Sequence, residues 1–187
     1  MKRLMIIFAT LAVALTMGGC DVWLDVEQEQ VPISNLTKDV DFVATNIICK
    51  RYNSIYAAYP NCDNFSIQLT SDEVEGEREV VILDLLVPKG TEKPDAEYIV
   101  GYGGEGIKYV ALSKYDVYDI HTGVQYMGGS YYGVAKNGSI DDYYGFFTEG
   151  RVQIYAIEGT YHIIVDAKSE DRTVKMTYSG PLPITEK

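Results

Sequence analysis

The chain has 187 residues, of which 27 are acidic and 16 basic, for a formal net charge of −11. Such a surface repels phosphate backbones and anionic headgroups, which excludes a nucleic-acid partner held by charge. The length favours one domain with a sizeable core, and 16 tyrosines dominate the aromatic content.

The first twenty residues, MKRLMIIFATLAVALTMGGC, have the layout of an export signal. Lys2 and Arg3 form a short basic n-region, and Leu4 to Met17 is an uncharged, mostly apolar stretch. That stretch is shorter than the roughly 20 residues a helix needs to cross the hydrocarbon core. A plain secretory signal ends in an A-x-A-like site, which is absent. Met17-Gly18-Gly19-Cys20 instead resembles the lipobox of a bacterial lipoprotein. Residues 1–19 are therefore read as a signal peptide and Cys20 as the first mature residue, its thiol carrying a diacylglyceryl group. The alternative is an ordinary signal followed by an incidental cysteine. Stable anchoring takes two or more acyl chains, at about 0.8 kcal/mol per buried CH₂. A lipidated and N-acylated cysteine meets that need.

Residues 20–35 read as a lipidated, flexible tether. Asp21 to Asn35 is acidic and glutamine-rich and contains Pro32. A flexible segment of that length spans about 20 Å. Trp23 and Leu24 could dip into the headgroup region or pack on the domain. Residues 36–187 are then the folded domain.

The next segment is ambiguous. Ala44, Ile47, Ile48, Tyr52, Ile55, Tyr56 and Tyr59 follow helical spacing. The stretch is nevertheless rich in β-branched and aromatic residues and is interrupted by Asn53-Ser54, so strand, loop, strand is favoured over a helix. Cys49 lies within it and Cys62 just beyond. In an oxidising compartment they are the pair available for a disulfide, worth roughly 3 kcal/mol if unstrained, against the alternative of two unpaired thiols on different faces.

Beyond Cys62 most segments read as strands. Phe65 to Leu69 alternates apolar and polar, while Val80 to Val87 (VVILDLLV) is a nearly continuous apolar run suited to a central strand and stopped by Pro88. Further runs are Glu97–Gly101, Ile107–Leu112, Tyr115–Ile120, Gly129–Ala135, Tyr143–Phe147, Arg151–Ile157, Tyr161–Ala167 and Thr173–Tyr178. Turn signals separate them, including Pro88-Lys89-Gly90, Asn137-Gly138 and Glu158-Gly159. Short β-branched and aromatic runs at such intervals predict an all-β, antiparallel sandwich or barrel-like single domain. Phe65–Leu69 with the strand from Val80, and Tyr161–Val165 with the strand from Thr173, read as hairpins with charged tips.

The C-terminal half carries a resemblance. Gly150-Arg151-Val152-Gln153-Ile154, Gly159-Thr160-Tyr161-His162-Ile163 and Tyr178-Ser179-Gly180-Pro181-Leu182 occur in that order. They resemble the closing strands of small all-β lipoproteins of unknown function from Bacteroides-type bacteria, and Asn64 to Leu69 resembles their opening strands. The resemblance implies an all-β domain in the cell envelope and carries over no catalytic or binding residue.

The chemistry-bearing motifs are sparse. Gly101-Tyr102-Gly103-Gly104-Glu105-Gly106 looks like a phosphate loop, but a strand pattern comes after it where a helix is required. No G-x-S-x-G elbow occurs. His162 falls inside a strand and His121 in a turn, and neither has a C-x₂-C partner for zinc. Asp72, Glu73, Glu75 and Glu77 crowd one turn, and Asp141 and Asp142 another, without the calcium-loop pattern. No metal, cofactor or catalytic residue is expected.

Tyrosines are the suggestive feature. Tyr126, Tyr131, Tyr132, Tyr143 and Tyr144 cluster with Phe146 and Phe147. On strands, adjacent pairs send one ring inward and one outward. Tyr126, Tyr132 and Tyr144 are taken as candidate exposed binding aromatics, because a ring with a polar tip suits glycan or protein surfaces. The expectation is a lipid-anchored envelope protein, outer-membrane and periplasmic or surface-facing. Its partners are then the membrane, through the anchor, and a glycan or an envelope protein, with no nucleic acid. It would act as a non-catalytic binding module. A structural subunit of an envelope complex is the alternative, and a hydrolase the third reading.

Overall fold

The computed structural model describes residues 32–186 except 54, 55, 57, 104–108, 120–123 and 138, and gives backbone alone for 117–119, 124–127 and 140–142. Cys20, most of the expected tether, the glycine-rich turn after Gly103 and His121 lie outside the described residues. The described part is all-β. In chain order the strands are β1 (Val40–Ala44), β2 (Asn46–Tyr52), β3 (Cys62–Thr70), β4 (Glu77–Pro88), β5 (Ala96–Gly101), β6 (Val110–Leu112) and β7 (Tyr115–Asp119). They continue with β8 (Val124–Gly128), β9 (Tyr131–Lys136), β10 (Ser139–Phe146), β11 (Glu149–Ile157), β12 (Thr160–Ser169), β13 (Arg172–Gly180) and β14 (Ile184–Glu186).

Twelve strands form one mixed sheet in the order β1-β13-β12-β11-β5-β6-β4-β3-β2-β14, with β9 on β4 and β10 on β9; β7 and β8 form a separate pair. The ladder is not closed, but its two ends are joined through the chain. β1 runs into β2 across Thr45, and β13 runs towards β14 through Pro181 to Pro183. Both end pairs are parallel, Val40 opposite Val174 and Cys49 opposite Ile184, and their registers differ by one residue. The two ends are thus halves of one bent parallel pair, which gives the sheet its barrel-like form.

β4 organises the sheet. It pairs with β3 over Val80 to Pro88, from Thr70–Val80 to Cys62–Pro88. Its other edge is shared: β9 takes Glu77 to Ile82, and β6 takes Leu85 and Leu86. Strands on both sides and packing on both faces explain the near-continuous apolar run. Val81, Leu83, Leu85 and Val87 enter the main core with Phe65, Ile67, Leu69, Tyr98, Phe147, Ile163 and Met176. On the opposite face, Leu86 forms a second, small cluster with Val110 and Leu112.

Both expected hairpins form, as β3–β4 and β12–β13. The β3–β4 tip uses a tight turn that needs positive φ. Glu75 and Gly76 sit at 53° and 82°, and Val74 and Glu77 exchange bonds of 2.9 and 3.0 Å across them. Glu158 and Gly159 make the same kind of turn between β11 and β12, at 51° and 84°. Two successive positive φ values define the turn whose twist matches a hairpin.

Three sequence expectations are decided here. In the segment around residues 44–59 the structure places strands at Val40–Ala44 and Asn46–Tyr52 and no helix among the described residues, so the helical spacing over Ala44 to Tyr52 does not express itself as a helix. The end of the expected tether belongs to the domain: Asn35 N–H donates to Tyr144 O at 3.0 Å, and Phe146 N–H to Ile33 O at 2.9 Å. Residues 33–35 thereby cover the outer edge of β10. Finally, Cys49 and Cys62 are not bridged. Cys49 faces Ile67 in the β2–β3 ladder, and Cys62 lies roughly 16 Å from Ile67 along β3 at the usual rise. A disulfide needs Cα atoms within about 7 Å. The odd spacing also turns Cys62 to the opposite face, where it packs on the small cluster while Cys49 is buried in the main core. Burial pushes the Cys49 thiol up to about 12.

Candidate functional site

Asp84 is a lone carboxylate in the middle of the apolar run of β4. Its neighbours Leu83 and Leu85 face the main core, so alternation turns Asp84 to the small-cluster face with Leu86. It is only 7 % exposed. A buried carboxylate is tolerable when donors replace water, and three side chains do so here. Tyr56 and Tyr115 hydroxyls donate to Oδ2 at 2.7 and 2.6 Å, and the Asn64 amide donates to Oδ1. The same amide donates to the Leu85 carbonyl at 3.1 Å, and the Asp84 N–H donates to Ser130 Oγ at 3.0 Å.

The two tyrosine hydroxyls also lie 2.7 Å from each other. Burial, then the charge of Asp84, pushes both hydroxyls well above the usual tyrosine range. They therefore stay protonated, as donors, at any physiological pH.

Around this centre the rings form a patch. Tyr56 meets Tyr115 edge to face with centroids 5.7 Å apart, and Tyr59 at 6.5 Å. Two glycines make room. A Cβ on Gly103 would strike the Tyr59 ring, and one on Gly128, opposite Tyr115 in the β7–β8 ladder, would strike Tyr115. Tyr102, next to Gly103, donates from its hydroxyl to the Lys114 carbonyl at 2.9 Å, beside Tyr115. It is 62 % exposed, whereas Tyr56, Tyr59 and Tyr115 are half-buried. Tyr56 and Tyr59 from one segment and Tyr115 from another thus pack together over a fixed polar centre, with Tyr102 bonded to the backbone beside Tyr115.

The tyrosines singled out in the sequence are placed differently. Tyr132 is not an exposed aromatic. It is 3 % exposed, tilted against Phe42 at 6.1 Å and edge-on to Tyr143 at 6.4 Å. Its position on β9, opposite Val81 in β4, sends the ring into the main core. Tyr144 is half-buried. Its ring meets Phe146 at 5.9 Å, its N–H donates to Asn35 Oδ1 at 2.8 Å, and its hydroxyl donates to the Pro32 carbonyl at 3.3 Å. It serves to hold the incoming chain. Tyr126 falls on β8, and its side chain lies outside the described residues. His162 stacks on Tyr155 at 5.2 Å, with Ser179 Oγ 3.1 Å from its Nδ1.

A second feature lies at the other half of β4. A groove of about 750 Å³ opens between Thr37 and Lys38, the β3–β4 hairpin tip, and β9. The Tyr132 hydroxyl reaches it and donates to Glu79 Oε1 at 3.2 Å. Burial raises the Glu79 carboxyl above its ordinary range, against the opposing influence of Tyr132 and Lys38. The crowded tip carboxylates are spread among separate partners. Asp72 accepts from Thr45 Oγ1 at 2.8 Å, Glu73 pairs with Arg78 at 2.9 Å, and Glu77 with Lys136 at 2.9 Å. Among the described residues no three His, Cys, Asp or Glu side chains gather in a way that could hold a metal.

Sequence reading missed Tyr56, Tyr59, Asn64, Asp84, Tyr102 and Tyr115 as a group. One signal was present: a single acidic residue inside VVILDLLV must find partners or disrupt its strand. No protein-family model, curated protein or solved structure matches the chain.

Proposed function

We propose that the protein is a lipid-anchored envelope lipoprotein acting as a non-catalytic glycan-binding module, with the Tyr56–Tyr59–Tyr102–Tyr115 patch as its binding surface. The observation that carries this reading is the packing of Tyr56, Tyr59 and Tyr115 at one place, with Tyr102, 62 % exposed, bonded to the carbonyl of Lys114 next to Tyr115. A tyrosine ring offers a large apolar face at low entropy cost and a hydroxyl at its tip. That pairing matches a sugar ring, which has an apolar C–H face and a hydroxyl perimeter. The Asp84 hydrogen bonds and the flanking glycines fix Tyr56, Tyr59 and Tyr115 in place, so little ordering cost remains at binding.

The anchor is supported by the n-region, the apolar stretch and Met17-Gly18-Gly19-Cys20. The resemblance to envelope lipoproteins of Bacteroides-type bacteria agrees with it, and among the described residues no helix is long and apolar enough to cross a membrane. Metabolic labelling with a fatty-acid probe tests the anchor. The wild type should label and Cys20→Ala should not; an unlabelled wild type contradicts the assignment. Capture on a glycan array tests the patch, with Tyr102→Ala expected to abolish it.

A further inference from the structure

Three oxygens at the polar centre meet in more contacts than their protons can fill. Asp84 Oδ2 is 2.7 Å from the Tyr56 hydroxyl and 2.6 Å from the Tyr115 hydroxyl, and the two hydroxyls are 2.7 Å apart. Every edge of this triangle has hydrogen-bond length. An ionised Asp84 brings no proton, and each phenol brings one. Two protons therefore serve three contacts, and one pair of oxygens meets with no proton between them. The Asn64 amide does not relieve that pair, because it donates to the other carboxylate oxygen, Oδ1. A positive charge over the face of the triangle satisfies all three oxygens at once.

The dimensions suit a small, hard cation. Such an ion holds oxygens at about 2.0–2.1 Å in octahedral geometry, which puts adjacent ligand oxygens about 2.8–3.0 Å apart. The triangle needs to open by only a few tenths of an ångström to become one face of that octahedron. Charge selects the valence. One carboxylate and two phenolates carry three negative charges, so a trivalent ion leaves the site neutral, whereas a divalent ion leaves a partly buried anion uncompensated. Burial disfavours a phenolate by itself at Tyr56 and Tyr115. A bound cation reverses that preference, as it does for a coordinating thiol. Tyr56 and Tyr115 are half-buried beside the small cluster, so the triangle lies outside the main core.

We propose that Asp84, Tyr56 and Tyr115 bind a hard trivalent cation, ferric iron in biological settings, through Oδ2 and the two phenolate oxygens as one face of its coordination shell. Water completes the shell on the other side. Binding releases the two phenol protons to solvent and changes no oxidation state. The ion takes the hydroxyl tips and not the ring faces, so this site does not rest on glycan capture by the patch.

The test adds ferric nitrilotriacetate to the full-length protein in detergent and reads visible absorbance, where a phenolate bound to ferric iron gives a charge-transfer band. The wild type should develop that band and keep about one iron per chain after the free chelate is removed. Tyr56→Phe and Tyr115→Phe each delete one oxygen and keep the ring. Both should weaken iron uptake by at least the roughly tenfold that loss of a supporting partner costs a metal site, and both should diminish the band. Tyr102→Phe, whose hydroxyl bonds to the Lys114 carbonyl outside the triangle, should behave as wild type. A wild type without the band overturns the proposal and leaves a hydrogen-bonded anchor for the rings. So does a band unchanged in both triangle variants, or uptake of zinc as tight as that of iron.

Discussion

Two groups of tyrosines do opposite work in this molecule. Tyr131, Tyr132, Tyr143 and Tyr144 are close in sequence, lie on paired strands β9 and β10, and spend their rings on packing and on holding residues 32–37. Tyr56, Tyr59, Tyr102 and Tyr115 come from three separate stretches of sequence; the rings of Tyr56, Tyr59 and Tyr115 pack together, and Tyr102 bonds to the backbone next to Tyr115. Clustering along the chain therefore reported a hairpin, and the functional candidate came from the topology. A dense aromatic run on adjacent strands fills a core because the ladder forces alternate rings inward. Loops that end side by side can bring single rings together from anywhere.

The largest expected effect sharpens the core side of that contrast. Tyr132→Ala should cost about 3–5 kcal/mol, the range for emptying an aromatic site in a packed core. Urea denaturation at constant m-value would show it, and a loss under about 1 kcal/mol would return Tyr132 to the surface.

Next comes the polar centre of the patch. Asp84→Ala leaves the Tyr56, Tyr115 and Asn64 donors without their shared acceptor, at a cost of about 3 kcal/mol. Tyr115→Phe removes one bond and should cost about 1 kcal/mol. The ordering of the two by thermal or urea denaturation checks that Asp84 is the hub.

A pH prediction covers members of both groups together with Tyr98 of the main core. Tyr56, Tyr98, Tyr115 and Tyr132 all titrate above the usual value of 10.0 in the folded state, chiefly because burial disfavours the phenolate. The folded chain then keeps protons that the unfolded chain gives up. Their contribution to stability is complete below about pH 10 and is lost as pH rises through the folded values. Absorbance titration at the tyrosinate band should show these phenols ionising only as the protein unfolds. Ionisation of every tyrosine near pH 10 with the fold intact would refute their burial.

Much of the fold was legible. β3 and β4, and the run from β11 to β13, announced themselves by alternation, an apolar run and turn residues such as Glu158-Gly159. β1 was missed because its outward Val43 blurs the polar alternation, and β14 because three residues carry no period. The order of strands was not legible, since the parallel pairing of β1 with β13 joins opposite ends of the chain. Cys49 and Cys62 are close in sequence, yet the β2–β3 register separates them. Of the site, Asp84 within VVILDLLV was visible, but its partners Tyr56, Asn64 and Tyr115 become neighbours only through the β3–β4 register and the packing of β7 against the small cluster.

The central claim is the proposal that binding uses the exposed Tyr102 beside the Tyr56–Tyr59–Tyr115 cluster, while the clustered tyrosines of β9 and β10 serve packing. Glycan-array capture by Tyr102→Ala and Tyr144→Ala, each alongside its urea curve, tests it most directly. Tyr102→Ala should lose capture while shifting stability by no more than about 0.5 kcal/mol, as expected for an exposed side chain. Tyr144→Ala should keep capture. Retained capture by Tyr102→Ala, with loss by Tyr144→Ala, would contradict the account.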